Sequence, residues 1–364
     1  MNRYFRLTTA VTVVLLFAVG CGGGSSGAGG SGSGNKATVK SLLEIKSDSL
    51  PSGWDKPKTV GHVTNYLIHE WYQNLTKGEK LEAQKFGIDF SIDDANLDLQ
   101  KSLAALNDYL AKGESAIVFT PVDEKASGPA VKRAKAKNIP IVCESSPTDG
   151  CDTLVSIDDY AAGQREGKWV GDYLKKQGTT TVKVLDVGLP ALSTTVARSK
   201  GFVDGLHSVI PDAKVVSVDG KGAKDQAVKV SADALTANRD INVIFGINDD
   251  SALGGLQSYR ASGLDESKLL VAGFGCEGKA CKDALNSGGP YKVSAAMFPE
   301  FQGTMLIRAA IADFNKQKLP AHEVMPSTPV DAQLLAKYYT KQADGGYAIN
   351  FDAVAQLSHD QTPK

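Results

Sequence analysis

The chain has 364 residues, 42% hydrophobic and 22% charged, with 40 Lys and Arg against 41 Asp and Glu. That globular balance excludes a disordered chain and a disulfide-only miniprotein. A formal net charge of -1 without a long basic block excludes a surface that tracks nucleic-acid phosphates. Length suggests two domains of about 150 residues.

Residues 1–20 read as a targeting signal, with Arg3 and Arg6 ahead of an apolar run over 7–20. No later uncharged apolar run approaches the roughly 20 residues that span a bilayer. The signal ends Phe17-Ala18-Val19-Gly20-Cys21, which resembles a bacterial lipobox. In that motif the cysteine is lipidated on its thiol and becomes the new N-terminus; Ala18 stands where Leu is commoner. A plain secretory signal with a chance cysteine is the alternative. Residues 22–34 contain only Gly, Ser and Ala, a composition that buries no core. A tether of this length reaches about 20 Å root-mean-square. The expected product is exported and held by lipid at the outer face of the cytoplasmic membrane, or is periplasmic.

The five cysteines become four once Cys21 is assigned to the lipid. Export places those four in an oxidising compartment, where pairing is expected. Local pairs, Cys143 with Cys151 and Cys276 with Cys281, close two short loops; four buried thiols are the alternative.

Residues 36–57 lack periodicity and read as a lead-in that packs on a lobe or stays mobile. β-rich runs then alternate with amphipathic stretches. Strands are expected at 59–63, 88–92, 116–120, 139–143, 153–157, 182–187, 214–218, 243–246, 269–274 and 292–296. Helices are expected at 69–86, 97–112, 125–137, 160–177, 195–209, 224–237, 249–262, 279–286 and 300–318. Continuous apolar runs such as Ala116-Ile117-Val118-Phe119 suit strands buried on both faces, and repeated βα units imply parallel sheets with right-handed crossovers. Ten strands exceed a usual single sheet, so the reading is α/β with two similar lobes and the cleft between them as the ligand site. In open α/β sheets ligands bind beyond the carboxyl ends of strands. Attention therefore falls on Thr64-Asn65, Glu144-Ser145-Ser146, Asn248-Asp249-Asp250 and Gly275-Cys276-Glu277. Residues 343–364 read as a docked tail.

Enzyme signatures are absent. No G-x-x-x-x-G-K-[ST], H-E-x-x-H or G-x-S-x-G string occurs, and the five histidines lack metal-ligand spacing. The acidic run around Asp94 is no calcium loop, because the positions that need Gly and Glu hold Leu99 and Ala105. No catalytic residue, metal or cofactor is expected.

Binding chemistry is more visible. Trp71 and Tyr72, at a helix start after a strand end, suit stacking on a sugar ring; Trp71 with Leu75 as a core stripe is the alternative. Arg198 lies early in its helix, where the dipole favours acids. It is therefore read as a fork for ligand oxygens or as a surface ion pair. Asn248 offers a donor and an acceptor to a hydroxyl, or caps a helix.

From Lys58 to Tyr338 the chain resembles the ribose-type periplasmic sugar-binding proteins of bacterial ABC importers. The matching strings are His69-Glu70-Trp71-Tyr72, Asp93-Asp94-Ala95-Asn96, Phe119-Thr120-Pro121-Val122-Asp123 and Asn138-Ile139-Pro140-Ile141-Val142. They continue with Ile157-Asp158-Asp159, Arg198-Ser199-Lys200-Gly201-Phe202, Ile247-Asn248-Asp249-Asp250 and Val271-Ala272-Gly273-Phe274. Their order along the chain makes the match specific.

The resemblance implies two Rossmann-like lobes joined by a three-crossing hinge (periplasmic binding protein type I). The N-terminal lobe would be 58–157 plus 298–325 and the C-terminal lobe 158–297 plus 326–342. It places ligand contacts at His69, Trp71, Tyr72, Asp158, Arg198 and Asn248. The family's aspartate after the fourth strand falls on Ser145, with Ser146 in place of the following arginine. A later aspartate falls on Gly275, and a glutamine near the last hinge falls on Met297. Two carboxylate acceptors are thus missing, with Glu144 or Glu277 as substitutes, and both disulfides would brace the altered rim loops. The implied protein is a monomeric receptor that closes on a small polar solute (a sugar, polyol or related compound). Its partners would be an ABC permease and ATPase, with the membrane touched only through the lipid anchor. A surface sensor signalling occupancy to a membrane receptor is the alternative.

Overall fold

The computed structural model describes residues 36–361. Cys21 and the targeting segment lie outside the described residues. From residue 59 the chain runs β1 (Thr59–Thr64), α1 (Glu70–Phe86), β2 (Asp89–Asp94), α2 (Leu99–Lys112), β3 (Ala116–Phe119), α3 (Glu124–Ala136), β4 (Ile141–Glu144) and β5 (Thr153–Ser156). A second series follows: α4 (Asp159–Lys176), β6 (Lys183–Gly188), α5 (Ser193–His207), β7 (Lys214–Asp219), α6 (Lys224–Ala237), β8 (Val243–Gly246), α7 (Asp249–Ala261), β9 (Leu270–Gly275), α8 (Lys279–Asn286) and β10 (Tyr291–Ala296). The chain returns through α9 (Pro299–Phe314), β11 (His322–Val324) and β12 (Thr328–Val330). It ends in α10 (Ala332–Tyr338), the hairpin of β13 (Tyr339–Lys341) and β14 (Tyr347–Ile349), and α11 (Phe351–Gln361).

Two six-stranded sheets result, ordered β11-β5-β4-β3-β1-β2 and β12-β10-β9-β8-β6-β7. Every pairing within them is parallel except β12 on β10. The central strands β3, β4 and β8 are buried along their whole length, as continuous apolar runs require when helices cover both faces. The helices start where the sequence supplies caps: Asp98, Asp123, Asp158 and Asn248 each accept first-turn amides. Helix α1 stops at Gly87, whose φ of 61° is the left-handed cap.

The chain passes between the sheets three times, at 157–158, 297–298 and 325–327. Helix α9 packs on α1 and the first sheet, although it follows the last long strand of the second. Phe298, with left-handed φ of 54°, turns the chain into α9, and its ring lies 5.0 Å from that of Tyr338. Arg165 of α4 ties down the third crossing, donating to the Ser327 carbonyl at 3.1 Å and to its hydroxyl at 2.6 Å. The lead-in packs on the first lobe, where Leu42, Ile45 and Trp54 are buried. Asn315 fastens it by accepting from the Asp55 amide at 2.9 Å and donating back to its carbonyl at 2.6 Å.

Of the two expected disulfides, Cys143–Cys151 is formed. The second is corrected: Cys276 and Cys281 are buried free thiols. Both side chains are buried, with the Cys281 thiol within hydrogen-bonding reach of Cys276 and at the wall of a hollow that Asp249 and Glu277 also line.

Asp313 of α9 gives the fold a pH signature. It accepts from the Thr153 hydroxyl at 3.2 Å, while burial, reinforced by Asp152, pushes its carboxyl up to about 7. An unfolded Asp releases its proton near 3.9, so folding takes up a proton between those values. Asp313 therefore stabilises fully below about pH 4, and that contribution is lost as pH rises through about 7. Chemical denaturation across this window should show stability falling with pH by up to about 1.4 kcal/mol per unit from this group. Asp313→Asn should flatten that part of the profile, and an unchanged slope would exclude Asp313 as its source.

Candidate functional site

The loops at the carboxyl ends of the two sheets meet across a cleft. Asn74 of α1 donates to the Glu277 carbonyl at 2.8 Å, and Ser193 of α5 donates to Glu124 of α3 at 3.0 Å, so each joins one lobe to the other. Between them is a hollow of about 410 Å³. The first lobe lines it with Tyr66, His69 and Glu70, the second with Asp249, Asp250 and Glu277 among others. Two further hollows of about 500 Å³, around Trp169 and Tyr173 and beside α5, are each built within the second lobe. Closure of the lobes reshapes only a hollow that both lobes line.

His69 caps α1: its Nδ1 accepts the Trp71 amide at 3.2 Å. That leaves Nε2 as the N–H, facing Asp250 at 4.0 Å across the cleft. Burial pulls the His69 pKa down against the opposing pull of Asp250 and Asp249, so the neutral ring is favoured. The rings of Tyr66 and Tyr72 flank His69 at 6.5 and 6.4 Å. Tyr72 hydrogen-bonds Asn65, and burial, with Glu144 nearby, pushes its phenol well up. Trp71 is 6% exposed and belongs with Leu75 to the hydrophobic core.

Arg198 is held on three sides. Its Nε donates to Asp159 at 2.7 Å, its Nη1 to the Ile247 carbonyl at 3.1 Å, and its guanidinium lies 4.6 Å over the Phe274 ring. Asp159, the residue after the first hinge crossing, is still pushed up by burial although Arg198 opposes the shift. Asn248 spends its side chain on structure: its amide donates to Gly222 at 2.9 Å, and its oxygen accepts the Ser251 amide at 2.8 Å. Asp158 is exposed and caps α4.

Two positions lack the expected carboxylate, and buried glutamates lie beside both. Ser145, with φ of 59°, donates its hydroxyl to Glu144. Glu144 also accepts from Gln302 at 2.8 Å and Thr120 at 3.0 Å. Beyond Thr120 the chain of bonds continues through His62, at 3.0 Å, to buried Glu79, at 2.8 Å. At the other position, Gly275 has φ of 118°, a conformation suited to glycine. The Glu277 carboxylate occupies the space that a Cβ at Gly275 would take. Met297, 5% exposed, donates its amide to the Gly275 carbonyl at 3.0 Å.

Of the expected residues, His69 lines the shared hollow and Arg198 acts electrostatically on His69 and Tyr72; Gly275 and Met297 are buried, Trp71 is in the core and Asp158 is exposed. Asp249, Asp250 and Glu277 stand at strand ends but lack any distinguishing spacing. Tyr66, Glu70, Asn74 and Asp159 carry no local signal of their own. Among the described residues no cluster of His, Cys, Asp and Glu is arranged to hold a metal.

Residues 60–318 match the family model described as a periplasmic binding protein domain. The chain is 32% identical over 287 residues to the ribose import binding protein of Bacillus subtilis, covering 74% of this chain and 89% of the relative. It is 27% identical to the ribose import binding protein of Escherichia coli, covering 83% and 98%. Among solved structures, an ABC transporter periplasmic solute-binding protein from Actinobacillus succinogenes with bound D-allose superposes with a TM-score of 0.72 at 25% identity, over 78% of this chain and all of that one. The fold and the two-lobed cleft define a solute-binding receptor rather than an enzyme. The chain belongs to the periplasmic binding protein family, type I.

Trp71→Ala should cost about 3–5 kcal/mol of stability, as deletion of a buried aromatic does, measured by denaturant unfolding. A loss below about 1 kcal/mol, with normal folding, would place the ring in the cleft instead.

Proposed function

We propose that this protein is the solute receptor of an ABC importer, capturing a small polyhydroxylated compound such as a sugar or polyol by closure of its lobes. The observation that carries this reading is the hollow lined by both lobes, with the buried carboxyl oxygens Asp249 Oδ2 and Glu277 Oε2 left without a hydrogen-bond donor. Unmet buried acceptors are costly, and ligand hydroxyl or amine protons would satisfy them. Solute contacts to both lobes favour the closed state over the open one.

Within this reading Tyr66, His69 and Tyr72 present ring faces and edges from the first lobe. Arg198 directs its remaining N–H groups at ligand oxygens, held in place by Asp159. Asn248 shapes the wall by fixing Gly222. The ribose import binding proteins and the D-allose-bound solute-binding protein named above support a sugar-like ligand. Loss of the carboxylates expected at Ser145 and Gly275 favours a compound that differs from them. We further infer export through the signal at 1–20, lipidation at Cys21, a monomeric receptor, and delivery to a membrane permease powered by an ATPase.

A thermal-shift screen of sugars, polyols and their derivatives tests the reading. A true ligand should raise Tm progressively as its excess over Kd grows. Arg198→Ala should weaken that ligand at least about tenfold, the loss of a charged hydrogen-bonding group. Binding unchanged in Arg198→Ala would remove this residue from the site.

A further inference from the structure

The charge of the cleft narrows the ligand class. Four carboxyl groups line the hollow: Glu70 from the first lobe, and Asp249, Asp250 and Glu277 from the second. Facing them are His69, which burial keeps neutral, and the exposed Lys224. Arg198 draws the Glu277 pKa down only as the smallest of several causes, its Nε being paired with Asp159 at 2.7 Å, and buried Lys282 spends its ammonium on the Glu277 backbone carbonyl at 3.1 Å.

Asp249 and Glu277 differ from ordinary surface acids. They are 5% and 6% exposed. Asp249 Oδ1 accepts from the Tyr291 hydroxyl at 2.6 Å and the Ser294 hydroxyl at 2.8 Å, which fixes the carboxyl plane. Its Oδ2 and Glu277 Oε2 have no donor among the surrounding groups. The two carboxyls are within hydrogen-bonding reach of each other, and burial, then Asp249, pushes Glu277 well above the usual carboxylate range. Glu277 therefore holds its proton more tightly than an ordinary carboxyl does. The arrangement depends on Gly275, because a side chain there would displace Glu277.

A neutral hydroxyl brings one proton to one oxygen, and cannot bond Asp249 Oδ2 and Glu277 Oε2 together. An ammonium brings three donors and a full positive charge, which is what two desolvated carboxylates require. We propose that the Asp249–Glu277 pair receives a protonated nitrogen, so that the captured solute is an amino-bearing polyol, such as an amino sugar or aminocyclitol. This rests on the receptor reading above. On binding, the ammonium takes the place of the Glu277 proton, which leaves to solvent, so one positive charge enters as another departs.

The experiment uses matched probes: D-glucosamine with D-glucose, D-galactosamine with D-galactose, and scyllo-inosamine with scyllo-inositol. Binding is measured calorimetrically at about pH 6, where the amines are protonated, in two buffers of different ionisation heat. At least one amino compound should bind about tenfold or more tightly than its hydroxyl counterpart, with net proton release. Glu277→Gln should bring that pair within about twofold of each other. If the variant is misfolded by its melting curve, proton release by the wild-type protein decides. Neutral members binding as tightly as their amino counterparts would overturn the inference and leave the receptor reading intact. Amino preference without proton release, or a preference retained by folded Glu277→Gln, would also overturn it. Binding by none of the probes would overturn the inference, and the receptor reading falls only if the wider thermal-shift screen also yields no ligand.

Discussion

Taking a carboxyl group out of water is costly, and the surface between these lobes does so repeatedly. Asp159 is matched by the Arg198 guanidinium at 2.7 Å, and Glu144 by donors from Thr120, Ser145 and Gln302. Asp249 Oδ2 and Glu277 Oε2 receive no donor from any other group of the chain and have only each other within reach. A folded protein rarely leaves buried acceptors in that state unless another molecule completes them. The parallel sheets aim their carboxyl ends at one another, Gly275 makes room for Glu277, and the hinge lets the two surfaces separate and meet.

The fold was open to reading because its signals are local and repeated. Strands such as Ala116-Ile117-Val118-Phe119 are continuous apolar runs, and α2, α3, α4 and α7 open on Asp or Asn caps, so much of the βα alternation needs no tertiary information. The short elements after residue 318 were not legible in the same way. His322–Val324 and Thr328–Val330 are three-residue edge strands, too short to show a period. The hairpin of β13 and β14 and the final helix α11 form a tail whose order depends on packing, with Val354 buried and the hairpin residue Tyr347 hydrogen-bonded to Asp283 at 2.9 Å.

The site was legible as a place more than as a set of contacts. Strand ends pointed to Asn248-Asp249-Asp250 and Gly275-Cys276-Glu277, and the structure puts these loops at the cleft. Asn248 was the more conspicuous residue by chemistry, yet its amide is used on Gly222 and Ser251, whereas Asp249 beside it faces the hollow. Trp71 followed a helical stripe and lies in the core, while Tyr66, outside any periodic segment, lines the cleft. The cysteines divide similarly. Cys143 and Cys151 have Cα atoms 5.8 Å apart and are bonded, whereas Cys276 and Cys281, closer still in sequence, are buried as free thiols.

The central claim is that solute contacts made by both lobes hold them together. Spin labels at Lys101 on the first lobe and Lys221 on the second, both exposed, report the distance across the gap. Addition of the tightest-binding compound from the screen should shorten and narrow the distribution of that distance. A compound that binds at full occupancy and leaves the distribution unchanged would contradict capture by closure.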